Sequence, residues 1–154
     1  MWTQILISLI PALIIAIATA FLTVRLALRR FHSERWWERK VEAYTRIIEA
    51  LHDLIEYSSA NAEEELGNIK YTEEYSKQLW DNYRAASADL RKATGVGAYI
   101  ISDEVAELLD LLDARPKLKW EENAPWDIYY EQFYAYKEAL AQIRLLAKKD
   151  LRVS

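Results

Sequence analysis

Residues Ile5 to Val24 read ILISLIPALIIAIATAFLTV, a run of twenty positions without one charged side chain. At 1.5 Å per residue, twenty helical residues cover about 30 Å, the thickness of a bilayer's hydrocarbon core. Twelve of them are Ile, Leu, Val or Phe. Each of these is worth roughly −0.3 to −0.6 kcal/mol at a helix centre, so the gain is roughly 4 to 7 kcal/mol. Ser8, Thr19, Thr23 and Pro11 reduce that gain without cancelling it, because a membrane helix returns hydroxyl hydrogen bonds to its own backbone and tolerates proline. The expectation is one uncleaved, single-pass transmembrane helix, a signal anchor. No positive charge precedes the run, as a cleavable signal would require, and the small-residue triplet Ala18-Thr19-Ala20 lies inside it.

The flanks set its direction. Residues 25 to 46 hold seven Lys or Arg against three Glu, whereas Met1 to Gln4 carry no charged side chain, which predicts an outside N-terminus and a cytoplasmic C-terminal part. Arg25, Arg29, Arg30, Arg35, Arg39 and Lys40 then form a basic row for anionic lipid headgroups, each worth about 1 kcal/mol near such a surface. Trp2 on one side, and Phe31, Trp36 and Trp37 on the other, are candidate aromatic anchors at the two interfaces; Trp36 and Trp37 are equally candidates for the start of a cytoplasmic core.

The distal part has the opposite charge. Residues 47 to 154 contain 13 basic and 21 acidic side chains, a balance of −8 that argues against a nucleic-acid partner. There is no cysteine, so nothing calls for an oxidising compartment. The localisation these features suggest is a membrane with the domain on its cytoplasmic side.

After the span the chain reads as all-α: an anchor over residues 1–30, then a cytoplasmic antiparallel bundle or long hairpin of three to four helices over 31–154. The helices are expected near 33–65, 72–94, 103–115 and 125–149. Trp37, Val41, Tyr44, Ile48, Leu51, Ile55, Ser58 and Ala62 alternate at spacings of four and three, a heptad seam of coiled-coil type. Glu42, Arg46, Glu49, His52, Asp53 and Glu56 form the polar stripe opposite it. Two readings of the entry remain open: a rod continuous with the span, or a break at His32-Ser33 with Ser33 as cap. Gly67-Asn68 ends this helix and Thr72 caps the next, whose seam is Ser76, Leu79, Tyr83, Ala86, Leu90 and Ala93. Gly95-Val96-Gly97 should stop it through a left-handed glycine. Ser102 caps a short helix containing Val105, Leu108, Leu109 and Leu112, which Arg115-Pro116 closes. Pro125 opens a last helix with Tyr129, Phe133, Tyr136, Leu140, Ile143 and Ala147 as its seam. The many Tyr and Trp residues at seam positions read as core before ligand platform.

Chemistry is sparse. Glu49-x-x-His52 has di-iron carboxylate spacing, but such a site needs a second pair and two more glutamates, and the only other histidine is His32. No cysteine nucleophile, P-loop or dinucleotide turn occurs. The chain is therefore read as no enzyme, with no cofactor, no metal and no identified small-molecule substrate. Ser8, Ala12, Ala16 and Ala20 recur every four residues, a ridge through which another membrane helix can approach.

The stretch Phe31-His32-Ser33-Glu34-Arg35-Trp36-Trp37-Glu38-Arg39-Lys40, continuing through Val41-Glu42-Ala43-Tyr44, resembles the juxtamembrane segment of small bacterial single-pass membrane proteins with a helical cytoplasmic part. That resemblance implies a bacterial inner membrane and carries no activity or functional residue with it. The leading expectation is a membrane-anchored interaction or scaffold module that self-associates or docks a protein partner. The alternative is a membrane-perturbing effector of holin or toxin type, related to phage or defence, and a metal-dependent enzyme stands third.

Overall fold

The computed structural model describes the backbone of residues 2–95 and 97–152, and the side chains of residues 15–95 and 99–152. Helix is the only regular structure among them. α1 runs Trp2–Glu65, α2 Glu73–Gly95, α3 Asp103–Ala114 and α4 Pro125–Leu151, with a 3-10 turn at Gly97–Tyr99. α1 has no break at His32-Ser33, so Ser33 caps nothing. No glycine interrupts it, and its proline, Pro11, leaves the helix unbroken.

The chain divides into two compact units, one ending at Glu38 and the other starting at Arg39. In the first unit no side chain described is buried. Ile15, Ile17, Phe21, Leu22, Val24, Leu26, Leu28 and Phe31 are all 51 to 66% exposed. These positions form two arcs on opposite sides of the helix, with Ala16, Thr19, Ala20, Thr23 and Ala27 on a face between them. Among the described residues, no helix is long and apolar enough to cross a membrane. The first half of the expected span, with Ser8 and Ala12, and Trp2 before it, lies outside the described side chains.

In the second unit, α2, α3 and α4 gather around the rest of α1. Tyr44, Ile47, Leu51 and Leu54 of α1 meet Ala86 of α2, Ile101, Val105 and Leu109 around α3, and Leu140, Ile143 and Ala147 of α4 in one core. The polar stripe of α1 faces outward as its spacing requires, with Asp53 half-buried. The seam differs from the heptad reading at both edges. Trp37 is 49% exposed and Val41 half-buried, while Ile47, Ala50 and Leu54 are buried. A helix covered by three neighbours buries a broader stripe than a coiled-coil seam.

The helix ends follow from local chemistry. Gly67 adopts a φ of 73°, and its N–H and that of Asn68 close onto the carbonyls of Glu64 and Glu63 at 2.9 and 3.1 Å, a Schellman cap. Thr72 Oγ1 accepts the Tyr75 N–H at 3.3 Å and starts α2. Neither Gly95 nor Gly97 is left-handed; α2 passes into the 3-10 turn instead. Ser102 precedes α3 in extended conformation, but its side chain makes no cap bond. Arg115, held extended by Pro116, ends α3. Pro125 opens α4, and Arg152 closes it in the left-handed region, its N–H on the Lys148 and Lys149 carbonyls.

Candidate functional site

The residues expected at a membrane interface fall into two groups. Arg25, Arg29, Arg30, Phe31, Arg35, Trp36, Trp37 and Arg39 are exposed on α1. Arg30 pairs with Glu34 at 2.8 Å, and the Arg35 guanidinium lies over the Phe31 ring at 5.2 Å. Ala16 and Ala20 are exposed on the same helix. Lys40 leaves this row. Its ammonium is bound by both carboxylate oxygens of Asp150, at 2.7 and 2.8 Å, and both side chains are only about one-fifth exposed.

That pair belongs to a small network. Tyr44, 1% exposed, donates its hydroxyl to Asp150 Oδ2 at 2.7 Å and accepts the Ser102 N–H at 2.9 Å. One phenol thereby ties α1 to the start of α3 and the end of α4. Burial opposes the charge on Asp150, yet the hydrogen bonds from Lys40 and Tyr44 outweigh it and hold the carboxyl below its ordinary value. Burial pushes the Tyr44 phenol up. Arg115 makes the corresponding tie elsewhere: its guanidinium bonds Glu131 at 2.6 Å and lies over the Tyr136 ring at 5.4 Å. Burial pushes the Tyr136 phenol up to about 12.

Between α2, α3 and α4 lies an open cleft of about 740 Å³, with Leu54 and Leu109 among its lining and charges of both signs around it, Arg84, Arg91, Lys117 and the Glu131-paired Arg115 against Asp81, Asp110 and Asp113. With mixed charges around an apolar floor, the cleft has no sign preference for a ligand.

A row of aromatic rings crosses the other elements. Trp120 meets Tyr129 edge-on at 5.5 Å, Tyr129 meets Tyr57 at 6.1 Å, and Tyr57 meets Trp80 at 5.9 Å and Tyr83 at 4.4 Å. Trp80 and Tyr83 stack at 5.5 Å with 17° between planes. The linker before α4, then α4, α1 and α2 each supply part of the row. Its middle is half-buried, and burial pushes the Tyr57 and Tyr129 phenols up. Its ends are open, with Trp120 55% and Trp80 46% exposed. The expectation that seam aromatics serve as core therefore divides: Tyr44 is core, Tyr83 and Tyr136 are half-buried and packed against it, and Tyr129 belongs to a partly exposed surface.

His52 and Glu49 form no metal constellation. His52 Nε2 lies 2.8 Å from an Arg144 guanidinium nitrogen, and no group of three ligating side chains occurs among the described residues. Sequence reasoning did not find Asp150 or Trp120, and it read Ser102 only as a helix cap. Asp150 and Trp120 lie off the seams, and no local pattern announces a partner for them.

Comparison with protein-family models, with curated proteins and with solved structures returns no match for this chain.

Proposed function

We propose that the chain is a membrane-anchored helical interaction module, its apolar run inserted in a bacterial inner membrane and its helical domain held at the cytoplasmic face. One observation carries the reading: every large apolar side chain described from Ile15 to Phe31 is more than half exposed, on two opposite sides of the helix. A helix apolar all round needs an apolar surrounding, and the uncharged run from Ile5 to Val24 has the length that lipid provides. The exposed Arg25, Arg29, Arg30, Arg35 and Arg39 fit an anionic headgroup layer directly after it. The domain supports the module half of the proposal by its own core and by the open aromatic row.

The test is retention of the full chain in membranes washed at alkaline pH. The native chain stays in the membrane pellet. A variant carrying Ile17→Lys and Phe21→Lys is released into the supernatant, since both positions are exposed and contribute no core contact. Release of the native chain overturns the anchor. A reporter fused after Ser154 that works only outside the cytoplasm overturns the orientation.

A further inference from the structure

We propose that the aromatic row from Trp120 through Tyr129 and Tyr57 to Trp80 and Tyr83 is a docking surface for an arginine- or lysine-rich segment of a partner protein. The inference deepens the interaction-module reading by naming the partner's chemistry. The row is open where a core cluster is closed, and it is preformed. Its terminal indoles are about half exposed, and four separate parts of the chain hold its rings in place, so the surface is formed before any partner arrives.

The charge around the rings selects a cation. The last turn of α1 meets the start of α4, where Glu63 accepts the Tyr130 hydroxyl at 3.2 Å and Glu64 and Glu65 add to burial in pushing the Tyr129 phenol up; Glu121 and Glu122 follow Trp120 directly in the chain. Glu56 accepts the Tyr75 hydroxyl at 3.0 Å beside the α2 end of the row. Lys77 and Arg84 flank Trp80 on α2, and Lys117 and Lys119 precede Trp120, with Lys119 pairing Glu122 at 2.8 Å; Glu64, Glu65 and Glu121 form no ion pair among the described residues, so the acidic excess lies at the Tyr129 middle of the row. Indole faces attract guanidinium and ammonium groups through the ring quadrupole, and neighbouring carboxylates add the charge. An anionic lipid or nucleic-acid surface is repelled by the same carboxylates, and an apolar partner would bury them unpaired. The chain's own Arg25, Arg29, Arg30, Arg35 and Arg39 carry the right charge but are assigned to headgroups in the proposed function, and Lys40 is held by Asp150, so the occupant is a separate protein.

The experiment titrates the full chain in detergent with a synthetic peptide of alternating Arg and Gly, read by tryptophan fluorescence and calorimetry, beside a peptide of alternating Glu and Gly. The expected result is saturable binding of the Arg peptide alone. Trp120→Ala, Trp80→Ala and the combined Glu64→Gln, Glu65→Gln, Glu121→Gln variant should each weaken it by about fivefold or more, with the helical circular dichroism unchanged. Removing exposed acids of α3 by Glu104→Gln and Glu107→Gln should change it by less than about twofold. Equal weakening by the α3 variant, or no effect of the ring variants, overturns the proposal in favour of diffuse attraction between an acidic domain and any cation. A change of oligomeric state in the ring variants also overturns it, by making the row a contact between copies. Membrane retention is measured separately: lost retention with intact peptide binding removes the anchor alone, and retention without peptide binding removes this inference alone.

Discussion

Two stretches of α1 are equally rich in large apolar side chains, yet Ile15, Phe21 and Leu26 are 66, 63 and 64% exposed while Ile47, Leu51 and Leu54 are 1, 0 and 2% exposed. Both are regular α-helix, so the backbone does not distinguish them. The difference lies in what stands between the apolar residues. Around Ile47 to Leu54 a polar stripe, with Glu42, Arg46, Glu49, His52 and Glu56 exposed, marks one side as water-facing and leaves the others for α2, α3 and α4. From Ile15 to Val24 no stripe exists and no neighbouring helix covers the side chains. Apolar content alone does not make a core; an amphipathic pattern does.

The sharpest way to break this contrast is to truncate one leucine from each stretch. Leu51→Ala should cost about 3 kcal/mol of domain stability by transfer and cavity terms, read as a lowered denaturation midpoint. Leu26→Ala, at 64% exposure, should leave that midpoint within about 0.5 kcal/mol. Equal losses would mean that both stretches are packed. Next comes the tie between the helix and the chain's end. Asp150→Ala leaves the Lys40 ammonium and the Tyr44 hydroxyl without their acceptor and should cost about 2 kcal/mol, discounted from a fully buried pair because both side chains of the ion pair keep one-fifth of their exposure. The corresponding loss for Glu42→Ala, whose partner Arg46 is 67% exposed, should be below about 0.5 kcal/mol.

Acid titration separates these pairs further. The Asp150 carboxyl is lowered in the folded state from its ordinary 3.8, so its contribution is present above that value and is lost as pH falls below it towards the folded value. The native domain should therefore lose more stability on acidification than an Asp150→Asn variant does, measured by urea midpoints across that range. At the alkaline end, Tyr136 is raised from 10.0 to about 12, so its share is present below pH 10 and disappears as pH rises towards 12, visible as a late step in phenolate absorbance. Ser58 is fully buried on α1 with no hydrogen-bond partner for its hydroxyl among the described atoms. Ser58→Ala should be neutral or stabilising by up to about 1 kcal/mol, since it removes a buried polar group and leaves no partner behind.

Much of the fold is readable locally. Gly67-Asn68, Thr72, Arg115-Pro116 and Pro125 each mark a helix end where the structure has one, because caps and proline act through neighbours a few residues away. Gly95 also marks the end of α2, but neither it nor Gly97 is left-handed, since permitting a left-handed turn does not compel one. Ile47, Ala50, Leu54, Ile128 and Ala139 escape a seam read at four-three spacing, because that spacing describes one contacting neighbour and the bundle supplies several. Lys40 illustrates the limit most plainly. By position it belongs to the basic row; its actual partner is 110 residues away.

The sequence by itself determined the helical class, the helix ends and the charge-free run that opens the chain, all properties set by side chains within one or two turns of each other. Tertiary structure alone decided that Tyr44, Asp150, Lys40 and Ser102 share one network and that five aromatic rings from four parts of the chain meet in one row. Those arrangements depend on how the helices pack, and packing brings together residues whose spacing in the chain carries no period.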